Sequence, residues 1–273
     1  MSPLLHIGHQ VDLGAWHFEP TVVAGTFIAL AFYAYGVMTL KEAFSGWRAA
    51  SFTAGVAVMF VALVSPLDGA SDRLLSMHMV QHVAVTTVGP PLIILGLSPA
   101  LLAPILRPGW ISRLAPRLTH PVLTGTLFIV NMWFWHVPPV YDLALDNLAV
   151  HITMHVAFIA TGLLFWWPVV QPTPATGTHG EGARLLYLFA TGMPMGLLSL
   201  LFFASSGVIY EHYETADRLW GISAINDQQI AGLVMGALGE AASFAAITIL
   251  FFRFLDREEA EVSAAAPHRT DAA

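Results

Sequence analysis

The chain has 273 residues, 56% of them hydrophobic and only 11% charged, and its mean hydropathy is +0.67. A soluble domain carries roughly a quarter charged residues, so the length here is spent on membrane-spanning segments. Cysteine is absent, which excludes disulfides, thiolate zinc sites and thiol redox chemistry; a metal would have to be held by His, Met, Asp, Glu or backbone. The net charge of −7 leaves no basic surface for nucleic acid.

Residues 1–20 read as an N-terminal segment on the outer side. They hold no Lys or Arg and no long apolar run, so no cleavable signal peptide is expected. A hydrocarbon core of about 30 Å takes about 20 apolar residues as a helix. Seven segments fit: Thr21–Leu40, Ala49–Pro66, Met77–Leu97, Pro121–Val137, His151–Val170, Leu185–Ser205 and Gln229–Phe252. Each is too apolar all round for a surface helix, and the alternation of a β-barrel is missing. The expected fold is an all-α polytopic bundle of about seven transmembrane helices over 21–254. A charged, Ala-rich and disordered cytoplasmic tail over 255–273 is expected to follow.

The third segment is unusual. No charge occurs from Leu74 to Leu106, a stretch that would be about 50 Å long as one helix. Gly89-Pro90-Pro91 predicts a kink inside it, and Gly96 and Pro99 predict a second bend, with Ala100–Leu106 at the interface. Basic residues set the orientation. Lys41, Arg48, Arg107, Arg113, Arg117, Arg184, Arg253, Arg257 and Arg269 fall on one side, and only Arg73 and Arg218 on the other. The N-terminus is therefore expected outside and the C-terminus in the cytoplasm.

With that orientation, His78 and His82 lie near the outer end of the third segment, and His151 and His155 near the outer end of the fifth. Residues i and i+4 share a helix face, so each helix presents a stacked pair of imidazoles. His136 ends the fourth segment at the same level, and Asp227 precedes the seventh. Imidazole suits copper and zinc, and thioether favours Cu(I); Met77, Met79, Met154 and Met235 lie within a few turns. A ligating His needs an acceptor on its other nitrogen, a role open to Asp227, Asp142 or Gln81. The pairs would suit one shared ion or two. Isolated histidines read differently: His17 and His120 as interfacial, His6, His9, His179 and His268 as loop or tail residues, and His212 as undecided. A single Met in an apolar helix is ordinarily packing. Glu240, mid-way along the seventh segment, points either to a proton or ion path or to a structural hydrogen bond. Gly232, Gly236 and Gly239 suggest close helix packing.

Several stretches resemble a known family. These are His78-Met79-Val80-Gln81-His82, Gly89-Pro90-Pro91-Leu92, Trp135-His136-Val137-Pro138, Tyr141-Asp142, the His151/His155 pair, Phe165-Trp166-Trp167-Pro168 and Asp227-Gln228-Gln229 with Gly232 and Met235. Together they resemble the multi-span CtaG family of cytochrome c oxidase assembly proteins. After Met235 the chain departs from similar sequences, with Gly236 where an aromatic is common. The resemblance implies a bacterial plasma-membrane protein, not an enzyme, that matures a haem-copper oxidase. It implies copper at His78, His82, His136, His151, His155 and Asp227, to which the thioether reading adds Met79 and Met154 and the Cu(I) state, and oxidase subunits and a soluble extracytoplasmic copper donor as partners. The residues alone leave three competitors: an intramembrane zinc hydrolase using Asp68, Asp72 or Asp227 as base, a haem electron carrier, and a copper or proton transporter.

Overall fold

The structure, a computed structural model, describes residues 14–40 and 45–265. His6, His9, Lys41, His268, Arg269 and most of the expected N-terminal segment lie outside the described residues. Among the described residues the regular structure is helical throughout. The helices are α1 (Pro20–Thr39), α2 (Gly46–Val64), α3 (Pro66–Ser71), α4 (Leu75–Gly96), α5 (Pro99–Leu106), α6 (Gly109–Leu118), α7 (Pro121–Trp135), α8 (Pro138–Asp146), α9 (Leu148–Val170), α10 (Glu181–Ala204), α11 (Glu211–Thr215) and α12 (Ala224–Ser263).

Proline starts many of these helices. It sits in the first turn of α1, α3, α5, α7 and α8, where its missing N–H costs no hydrogen bond. Among the described residues, six helices are long and apolar enough to cross a membrane: α1, α2, α4, α9, α10 and α12. The seventh expected span, α7, has 15 residues, about 22 Å of helix. Pro121 starts it, and His136-Val137-Pro138 ends it and starts α8. The last helix runs on past Phe254 to Ser263, so the first part of the expected disordered tail is helical. Arg257 holds that end, pairing with Glu261 one turn on at 3.1 Å and with Glu181 of α10 at 3.3 Å.

The kink expected at Gly89-Pro90-Pro91 takes the form of a π turn over Ala84–Val88 just before it. Gly89 donates its N–H to the Ala84 carbonyl, five residues back, and the two prolines that follow have no N–H to give. The helix stops at Gly96, Leu97 is extended and α5 begins at Pro99, which is the second expected bend. A matching π turn, Val234–Leu238, interrupts α12.

The π-turn region of α4 lies at the centre of the bundle, against α2, α9 and α12, while α7 and α10 complete the ring and α1 lies outside on α2. Close approach needs glycine at two positions. A Cβ on Gly55 would meet the Gly89 carbonyl at 2.7 Å, and one on Gly162 of α9 would meet the Thr86 carbonyl at 2.9 Å. Gly162 thus brings α9 down onto the π turn of α4. The α12 glycines behave as expected at Gly232 and Gly236, which press on Ser199 and its neighbours; Gly239 has ordinary room.

The first turn of α4 is held from far along the chain. Its own residue Leu74 gives no side-chain cap. Asp227, in the first turn of α12, accepts instead from Leu75 N at 2.7 Å, Ser76 N at 3.2 Å and Ser76 Oγ at 2.5 Å. These are helix-terminal N–H groups with no partner inside α4, and the carboxylate also meets the positive end of the helix dipole. Asp227→Ala should cost about 2 kcal/mol, read as a lower thermal midpoint of the protein in detergent. An unchanged midpoint would contradict the capping role.

Candidate metal centre

Three imidazoles come together where α4 and α9 begin. One donor atom each of His78, His82 and His155 lies within 4.8 Å of the others. The His78 and His82 Nε2 atoms are 2.8 Å apart. His151 meets His155 edge-on one turn away, ring centroids 4.5 Å apart, and lies 6.0 Å from His78. His136, at the end of α7, is 6.0 Å from His82. His78 is fully buried, and His82 and His136 nearly so. The sequence spacing that puts two imidazoles on each helix face therefore yields one shared cluster.

The hydrogen bonds around the rings determine which nitrogens are bare. Tyr213 donates its O–H to the Ser71 carbonyl at 2.8 Å. Burial pushes this phenol well above its ordinary pKa, so it keeps that proton. The 3.2 Å contact between Tyr213 and His78 Nδ1 then requires His78 Nδ1–H to donate, leaving a lone pair on Nε2. His136 Nδ1–H likewise donates to the Met132 carbonyl at 2.6 Å, and its Nε2 is buried without a hydrogen-bond partner. His155 Nε2 and His82 Nδ1 are also buried and unpartnered. Buried polar atoms are nearly always satisfied. Three bare imidazole nitrogens, with the opposite nitrogen of His136 fixed by an acceptor and His78 Nδ1 likewise engaged, have the arrangement of metal ligands.

The other expected ligands divide. Met79 lines a cavity with His82 and His136. Met154 is fully buried in the hydrophobic core and is not on that wall. Asp227 is no free ligand, because both its oxygens are taken by the start of α4. Gln81 does not reach a ring; its amide donates to the Ala62 carbonyl at 2.9 Å and to Asp68 at 3.1 Å. Burial raises the Asp68 carboxyl above the usual range, with Gln81 pulling the other way. His17 approaches Asp68 at 3.8 Å. The undecided His212 bonds the Asp72 carbonyl at 2.8 Å, which ties α11 to the loop after α3. His120 and His179 face each other at 6.3 Å, away from the cluster.

Sequence reading named Tyr141 only within a motif and missed Tyr210 and Tyr213. Tyr141 stacks on Tyr210 at 4.0 Å and bonds Tyr213 at 3.2 Å, and Tyr210 donates to the His136 carbonyl at 3.0 Å. Tyr213 is 135 residues from His78, and no local spacing announces the contact. Met132 did carry a signal, since it lies four residues before His136 and so shares its helix face.

A family model described as cytochrome c oxidase caa3 assembly factor matches residues 31–257. The chain belongs to this family. The match covers all the histidines of the cluster and both π turns. Among its relatives are uncharacterized proteins of Mycobacterium bovis and Mycobacterium tuberculosis, each 24% identical over 251 residues, 84% of this chain and 37% of theirs. A Mycobacterium leprae protein is 24% identical over 242 residues, 80% of this chain and 36% of its own. The chain thus spans little more than a third of the length of these relatives. No solved structure matches it.

Tyr213→Phe removes the acceptor for His78 Nδ1–H without opening a large cavity. Any metal held by the cluster should bind about 10–100-fold more weakly in competition with a chelator, with the thermal midpoint little changed. Unaltered affinity would contradict the role assigned to Tyr213.

Proposed function

We propose that this protein is a membrane assembly factor that carries Cu(I) as cargo for a haem-copper oxidase, bound by His78, His82 and His155. The observation that carries this reading is the convergence of three imidazoles, with one ligand atom each within 4.8 Å, inside a member of an oxidase assembly family. Neutral imidazoles with thioether nearby favour Cu(I) over hard ions. No carboxylate belongs to the group, which also suits a monovalent ion. His151 and His136 flank the three and offer positions for ligand exchange. The hydrolase reading needs a free base beside the metal, and Asp227 is committed to the α4 cap.

In this reading α7 crosses the membrane as a seventh, short span, the N-terminus is outside, and the histidine cluster lies near the outer face of a bacterial plasma membrane. The basic residues on the opposite side support that orientation. The cluster would then accept copper from a soluble extracytoplasmic donor and release it to an oxidase subunit, with no catalysis of its own. The ring nitrogens hold the ion, and Tyr213 keeps His78 in the tautomer that can bind it.

Replacing His78 and His155 together with Ala should abolish copper binding at this cluster and lower haem-copper oxidase activity in membranes, while protein level is retained. Normal oxidase activity and undiminished copper in that variant would refute the proposal.

A further inference from the structure

We propose that a cavity on the inner side of His82 is a second Cu(I) site, built from methionine thioethers and His136, with Glu240 as its counter-charge. This rests on the copper reading above and extends it from a single cluster to a two-site path.

The cavity lies between α4, α7, α9, α10 and α12 and has a volume of about 50 Å3. Its wall includes Met79, Met132, Met195 and Met235, one each from α4, α7, α10 and α12. A methionine stripe along one helix would be packing. Four methionines from four helices around one void do not follow from any helical period, and the chain has only 10 in all. His136 also lines the cavity, and its Nε2 is buried without a hydrogen-bond partner.

The donors and charge of the cavity select the ion. Hard divalent ions prefer oxygen ligands and retained waters, whereas thioether and imidazole favour Cu(I). Glu240 is the carboxylate on the wall; its Oε2 lies 3.5 Å from where a Cβ on Gly192 would be. One carboxylate neutralises a monovalent cation and leaves a divalent one with uncompensated charge in a low-dielectric interior. This gives the unexplained acid of α12 a function.

Two features connect the sites. His82 belongs to the upper cluster and also lines the cavity, so an ion can move by exchange at one residue. Both π turns border the cavity: Thr86 and Thr87 come from the first and Met235 from the second. Such turns concentrate at functional sites, and here two helices carry them on the same void.

The test is anaerobic loading of the purified full chain in detergent with Cu(I), reading metal per chain and the copper X-ray absorption spectrum. The wild type should hold two copper ions per chain, with both nitrogen and sulfur scatterers. The volume-conserving double variant Met132→Leu, Met235→Leu should hold one, bound by nitrogen. The double variant His78→Ala, His155→Ala should keep one, with sulfur. A wild type that holds a single copper with nitrogen scatterers alone, lost in the histidine variant, would overturn the second site and leave the first standing. No copper in the wild type would remove both. Two coppers with sulfur scattering in the methionine variant would also overturn the second site.

Discussion

The arrangement depends on one buried carboxylate. Asp227 reaches across 152 residues of sequence to close the first turn of α4, three residues before His78. A helix start has free N–H groups, and here an acid from another helix fills them. That contact sets both the depth and the rotation of α4 relative to α12, and so the direction in which His78 and His82 face. The neighbouring Gln228 extends the clamp: it accepts from Ile209 N at 2.7 Å and donates to the Gly207 carbonyl at 3.0 Å. The loop that leads to Tyr210 and Tyr213 is thereby tied to the same turn of α12.

From that anchor the site is assembled in layers. Gly162 lets α9 settle on the π turn of α4, which brings His155 to the level of His78 and His82. The tyrosines then orient the rings, Tyr213 through His78 Nδ1 and Tyr210 through the backbone at His136. These contacts come from α11 and the loop before it, and the acceptor for Tyr213 is Ser71 in α3. Short helices at the bundle end thus do the orienting, while the long helices supply the histidines.

Much of this is legible in the sequence, for identifiable reasons. The spans show because they are apolar on every face, and the histidine pairs show because i,i+4 spacing defines one face. The break in α4 shows because Pro90 and Pro91 cannot donate, although the π form of the break does not. The shortness of α7 follows from Pro121 and Pro138, signals that an apolar window passes over. The helical extension past Phe254 has its own signal, Arg257 and Glu261 at i,i+4, set against an Ala-rich composition that reads as a tail. Asp227 is the instructive case: as an acid near histidines it reads as a ligand, and only the fold reveals the helix end that it closes. The tyrosine contacts are equally non-local, joining positions with no shared periodicity.

The central claim is the proposal that His78, His82 and His155 on α4 and α9 hold copper in a member of an oxidase assembly family. The most direct test is the metal content of the protein purified from its own membranes without added metal, by inductively coupled plasma mass spectrometry. The account predicts copper as the dominant bound metal, at a substantial fraction of one ion per chain or more. Zinc in that place, or no transition metal, would contradict it.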